Sequence, residues 1–184
     1  MSSALELWLV RHGQTTANVA GLLSGWLDVP LTEQGRTQAR LAAQRLAGRR
    51  FDGVWSSDLE RAVATARLAW GEPVADRRLR EIHFGELEGR RWGDLGGDRE
   101  AALLEFLRFR APGGESIEDL RERVLGFIGE LAPGRHLVFS HGGVIRLLTC
   151  DLGEDRFLGN GGIAVIDWSG RRLRRIWELA SDLS

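Results

Sequence analysis

The chain has 184 residues, 43% hydrophobic and 28% charged, enough apolar material for a domain-sized core and too much for wholesale disorder. Its net charge of −1 gives no global pull toward nucleic acid or an anionic membrane, so any anion must be held by locally focused arginines. All 25 basic residues are arginine, which excludes lysine Schiff-base chemistry and a lysine-bearing phosphate loop.

"LELWLVR" at 5–11 is a continuous apolar run, the pattern of a strand buried on both faces. After a glycine-bearing loop, "PLTEQGRTQARLAAQRLAG" predicts a helix. Thr32 is placed to cap it, Gly35, Ala39, Ala42 and Leu46 share one face, and Gly48 lies past the end. "FDGVWSSD" predicts a second strand. Ser57 or Asp58 is the expected cap of a helix whose buried face carries Leu59, Ala62, Ala66 and Trp70. "PVADRRLREI" holds a weaker extended segment. Residues 98–110 and 116–131 both show helical spacing, separated by "APGGES", with Ser116 as the second cap. "HLVFS" is the next buried strand and "GGVIRLLTCDLG" the helix after it. "IAVIDWSGRRLRRIWEL" predicts a closing hairpin that turns at Ser169-Gly170.

Strands alternating with helices predict one α/β domain over 1–184, a three-layer α/β/α sandwich with a mostly parallel central sheet. A helical cover is expected at about 86–115. Such sheets bind ligands beyond the carboxyl ends of their strands, where Arg11-His12 and Ser140-His141 both fall.

A neutral imidazole at such an end is a nucleophile near pH 7, and attack on phosphorus would make a phosphohistidine. Arg11 beside His12 disfavours the imidazolium and offers a bidentate fork to a phosphoryl group. Gly13 is read as letting the backbone approach a ligand. The glycines after His141 open a helix whose free N–H groups suit an anion, and Arg61 lies one turn into another helix at the same edge. Two histidines, two arginines and a helix start suit phosphoryl transfer. The departing oxygen needs a proton; Glu81, Glu86 and Glu88 in "LREIHFGELEG" are the candidates, and local physics does not choose among them.

"LVRHGQTTAN" resembles the signature of the histidine phosphatase superfamily, the phosphoglycerate mutase-like group. "GWLDVPLTEQGRTQA", "WSSDLERAVATA", "LREIHFGELEG" and "VFSHGGVIR" agree with its later segments in order, over about residues 5–168. The resemblance implies His12 as the phosphorylated nucleophile and Glu81 as proton donor and later base. It implies Arg11, Arg61 and His141 holding the phosphoryl group, with Asn18 and the Gly142 N–H assisting. The cofactor-dependent mutases of the family carry a long insertion after the acid segment, an "RHYG" motif and lysine contacts. Here the insertion is missing, "REIHFG" replaces that motif and there is no lysine. The short form with "PGGES" resembles broad-specificity phosphatases and α-ribazole phosphatases of cobalamin assembly. The expected activity is thus hydrolysis of a small phosphomonoester; the alternatives are a mutase or a non-catalytic phosphate-binding protein on the same fold.

No metal or organic cofactor is expected, since Arg11 and Arg61 would repel a divalent cation from the histidines. Cys150 is the sole cysteine, so neither an intramolecular disulfide nor a multi-thiolate site can form. No stretch approaches the roughly 20 apolar residues of a membrane span, and Arg11 interrupts any leader-like run. A cytoplasmic protein is expected, without nucleic-acid or membrane partners and with its oligomeric state open, as monomer or homodimer. Leu22, Trp26 and His83 are expected near the organic part of the substrate, and His136 is read as structural. The pairs Arg49-Arg50, Arg90-Arg91 and Arg171-Arg172 are read as solvated faces.

Overall fold

The first strand, β1 (Leu5–Arg11), sits at the centre of a six-stranded sheet and sends alternate side chains to its two faces. The computed structural model describes residues 4–97, 101 and 105–179. Within them follow α1 (Thr16–Ala20), α2 (Glu33–Leu46), β2 (Gly53–Ser56), α3 (Glu60–Ala69) and β3 (Val74–Ala75). Then come α4 (Ile117–Gly129), β4 (Gly134–Ser140), α5 (Gly142–Cys150), β5 (Ile163–Asp167) and β6 (Arg172–Trp177). The strand order is β3-β2-β4-β1-β5-β6; the first four are parallel, β5 runs antiparallel to β1, and β6 runs antiparallel to β5. The sheet is mixed, on the expected parallel centre.

Period-two alternation divides the core. Leu7, Leu9, Val138, Ala164 and Ile166 meet Leu120, Val124 and Phe127 of α4 and Val144 and Leu148 of α5. Trp8, Val10, Leu137, Phe139 and Val165 face the other way, onto Ala42 and Leu46 of α2 and Ala66 of α3. These opposed clusters make three layers. Alanines at 39, 42, 62 and 66, all fully buried, let α2 and α3 pack closely.

Several local expectations need correction. Neither Ser57 nor Asp58 caps α3 through the expected N-cap geometry. Asp58 is drawn to Arg80, with both contacts at 2.7 Å, and the free N–H of Glu60 donates instead to Asp28 of the loop before α2. Trp70 ends α3 40% exposed, edge-on to Phe51, rather than on the buried face. Gly13 allows a close approach of protein, not ligand: a Cβ there would lie 2.2 Å from the Gly35 carbonyl oxygen, so the signature loop needs glycine to lie on α2. The extended segment after α3 shrinks to the two residues of β3. Of the helix expected over 98–110, residues 98–100 and 102–104 lie outside the described residues, and Phe106–Arg108 forms a 3-10 turn. Elsewhere in the expected cover, Gly85–Leu87 and Trp92–Asp94 are 3-10 turns. The C-terminal hairpin turns through Trp168–Arg171, where Asp167 accepts the Gly170 N–H at 2.8 Å. Among the described residues no helix is long and apolar enough to cross a membrane.

Candidate active site

His12 follows β1 and His141 follows β4. The register pairing Arg11 with Ser140 brings the two imidazoles together, ring centroids 5.2 Å apart and planes at 60°. His12 Nδ1 lies 2.8 Å from the Gly13 carbonyl oxygen. A carbonyl only accepts, so Nδ1 carries the proton and Nε2 keeps its lone pair. Burial, reinforced by Arg61 and then Arg11, holds the His12 pKa well below the ordinary imidazole value, against a smaller opposing effect of the Gly13 carbonyl. His141 is held low in the same way, by burial first and then by Arg61 and His12.

Arg61 is fully buried. Its two terminal nitrogens donate to the carbonyls of Leu27 (2.8 Å) and Gly25 (2.6 Å), and burial lowers its pKa to about 10, so it stays charged at neutral pH. Arg11 donates to the Leu158 carbonyl, and the Phe157 ring lies 4.7 Å from its guanidinium. Carbonyls anchor both cations and leave their charge available to a ligand. Arg11 Nε, Arg61 Nε and both ring nitrogens of His141 are buried without a partner; among the described residues no other buried side-chain polar atom is so placed. Each such atom costs roughly 1–3 kcal/mol. They lie on residues grouped around His12, an arrangement whose unused donors an anion would satisfy.

Asn18 Oδ1 accepts from the Thr15 N–H (3.0 Å) and from Asn160 Nδ2 (3.2 Å), which leaves the Asn18 amide nitrogen as the donor for the cavity it lines. Gly142 lines the same cavity at the start of α5. Glu81 reaches it from the other side: Oε1 accepts the Ile82 N–H (2.9 Å) and Oε2 the Gly143 N–H (3.0 Å). A Cβ at 143 would stand 2.2 Å from Oε1, so only glycine admits the carboxylate here. Glu86 and Glu88 do not line the cavity. Glu88 is taken up by the backbone N–H groups of Trp26 and Phe84, at 2.8 and 3.1 Å.

The cavity measures about 290 Å³. Arg11, His12, Asn18, Arg61, Glu81 and Arg146 are among its polar lining; Leu22, Phe84, Trp92, Phe106, Phe109 and Phe157 supply much of the apolar wall. Leu22 lines this cavity; Trp26 and His83 do not, and their polar and aromatic faces meet other parts of the protein. Trp26 Nε1 donates to the Glu81 carbonyl (2.8 Å), and its ring lies against His83, centroids 4.7 Å apart and planes tilted by 41°. His136 is held between Trp55 Nε1 (3.1 Å) and the Ala132 carbonyl (2.8 Å), far from the chemistry.

The sequence model of the histidine phosphatase superfamily, branch 1, matches residues 7–175. The chain belongs to that superfamily. Among solved structures, it is 44% identical to a crystal structure of phosphoglycerate mutase from Thermus thermophilus, with a TM-score of 0.88, covering 95% of this chain and 99% of the other. It is 38% identical to the adenosylcobalamin/alpha-ribazole phosphatase of Escherichia coli, over 80% of this chain and 79% of the relative. It is also 36% identical to a 2,3-bisphosphoglycerate-dependent phosphoglycerate mutase of Rhizobium etli, over 97% and 92%.

Sequence reasoning missed several residues of this site. Phe106, Phe109 and Phe157 sit in segments with no period that marks them as cavity walls. Arg123 looks like a solvated helix arginine in "LRERV", yet it donates to the carbonyls of Arg78 (2.8 Å), Arg80 (2.7 Å) and Glu81 (2.8 Å) and pairs with Glu115 (2.8 Å). It ties the acid segment to α4. Arg146 lines the cavity from α5; its one sequence signal is its place a turn beyond Gly142.

Proposed function

We propose that the chain is a phosphomonoesterase that hydrolyses a small phosphorylated metabolite in two in-line transfers, first to His12 and then to water. The observation that carries this is the set of unpartnered nitrogens on Arg11, Arg61 and His141 around an imidazole whose Nε2 is free to attack. Nε2 forms a bond to phosphorus while the ester P–O bond breaks. Glu81, protonated, gives its proton to the departing alkoxide. As a carboxylate it then takes a proton from the water that breaks the P–N bond, releasing inorganic phosphate and restoring both groups. Arg11, Arg61, His141, the Asn18 amide and the Gly142 N–H hold the three non-bridging oxygens, whose charge shifts during transfer.

No step calls for a metal, and the two guanidiniums oppose a divalent cation beside the histidines. The aromatic wall suits an ester whose alcohol is flat and apolar. With the name of the E. coli relative, that makes α-ribazole 5′-phosphate the first compound to test. A mutase would have to hold a carboxylate and a second phosphate against that wall. In a rapid-quench experiment with p-nitrophenyl phosphate, the wild type is expected to gain an acid-labile phosphoryl label and His12→Ala none. Label on His12→Ala removes the proposed nucleophile. Turnover is expected to survive EDTA; its loss would point to a metal.

A further inference from the structure

The phosphate end of the cavity lies at the first residues of α5, and Arg146 stands one turn further along the same helix. Positions 142 and 146 are about 6 Å apart along the axis and share a face. Arg146 thus lines the cavity beyond its phosphate end, within the space open to the alcohol part of an ester seated on His12. A bare guanidinium there would favour a second anion on the substrate. This one is not bare. Asp155 binds it bidentately, Nε to Oδ1 at 2.7 Å and Nη2 to Oδ2 at 2.9 Å, and the Phe106 ring lies 4.7 Å from it. Among the described residues Nη1 makes no hydrogen bond within the protein. The pair thus offers a hydrogen-bond donor with no net charge.

We infer that the Arg146–Asp155 pair is a specificity device that selects phosphomonoesters whose alcohol carries a neutral hydrogen-bond acceptor, against those carrying a carboxylate or second phosphate. Asp155 does not line this cavity but the neighbouring pocket, where it offsets the charge of Arg146; a carboxylate would therefore gain less from Arg146 than from a bare guanidinium, while giving up its hydration to enter an apolar-walled cavity. A hydroxyl or ring nitrogen would accept from Nη1 without that cost. The inference rests on the phosphomonoesterase reading and deepens it. It also bears on which set of relatives' names the chain resembles in substrate, since phosphoglycerates carry a carboxylate.

The test compares two esters that differ at one group, glycerol 3-phosphate and 3-phosphoglycerate, on the full chain. The readout is the ratio of kcat/KM for the carboxylate ester to that for the neutral one, in which a general loss of folding or catalysis cancels. In Asp155→Asn the ratio is expected to rise about tenfold at low salt, and the rise should shrink as salt is added, because Asp155 is 60% exposed. Combining Asp155→Asn with Arg146→Gln should abolish the rise. A ratio unchanged or lowered in Asp155→Asn overturns the inference, since a pair that only braces the loop would move both esters together. If the wild type turns over neither these esters nor p-nitrophenyl phosphate, the phosphomonoesterase reading is what has failed. The same ratio taken from calorimetric dissociation constants then decides the charge selection by itself.

Discussion

The Glu81 carboxylate, anchored by the N–H groups of Ile82 and Gly143, reaches the cavity beside His12 with lone pairs still available. A donor so placed matters in proportion to how badly the leaving oxygen needs a proton. Nitrophenolate leaves unaided, whereas an alkoxide does not. Glu81→Gln keeps the shape and removes the transferable proton, so turnover of glycerol 3-phosphate is expected to fall about 10²–10⁴-fold, with a much smaller loss in the phosphorylation step from p-nitrophenyl phosphate. Equal losses in single-turnover assays of both esters would take the acid role from Glu81. Arg11, His12, Arg61 and His141 were legible in the chain because each sits where a strand or a helix start points it at the sheet edge. Trp26 and His83 were not: their partners, the Glu81 carbonyl and each other, lie 55 and 57 positions apart from Trp26 in sequence, beyond what local pattern conveys.

At the scale of elements, the site depends on how the segment carrying Glu81 is fastened. It has almost no regular structure, a 3-10 turn at Arg77–Leu79 before it and another at Gly85–Leu87 after it. What holds it is α4, through the four-way grip of Arg123 on three carbonyls and Glu115. Glu115 also accepts the His83 N–H at 2.9 Å, which gives "PGGES" a structural purpose beside the acid segment. Arg123→Met would strand these acceptors, and with both partners mostly buried the expected cost is about 3 kcal/mol, seen as a lower urea midpoint at unchanged m. Glycerol 3-phosphate turnover should fall more than binding of inorganic phosphate, because Glu81 is displaced while Arg11 and Arg61 are not. An unfolding free energy within about 0.5 kcal/mol of wild type would show the grip to be incidental. Periodicity revealed β1, β4, α2 and α4 because each buries one stripe or both faces. It has little to read at the 3-10 turns Trp92–Asp94 and Phe106–Arg108, which have no amphipathic period, and it could not find the partner of the first N–H of α3, which is Asp28 across a loop.

For the molecule as a whole, the parallel centre of the sheet puts two imidazoles in its interior, and that ties stability to pH. His12 and His141 are held below the ordinary imidazole pKa by burial and by Arg61. In the unfolded chain each takes up a proton near pH 6.5. In the folded protein neither does until the pH is well below that. Between those limits the unfolded state binds more protons, so stability falls as the pH falls from 7, by at most about 1.4 kcal/mol per pH unit for each histidine. Asp58, Asp76 and Asp167, whose pKa values are also lowered, act in the same direction but only in the carboxylate range, which leaves pH 6.5 to 5 to the imidazoles. Urea unfolding at pH 7, 6 and 5 is expected to show a steady loss, and His141→Gln should flatten the slope by about half. Inorganic phosphate should recover more stability at pH 5 than at pH 7, since an anion beside the imidazoles makes their protonation in the folded state favourable. A stability flat from pH 7 to 5 would mean that the histidines are not kept neutral by the fold, and the anion seat would lose its electrostatic basis.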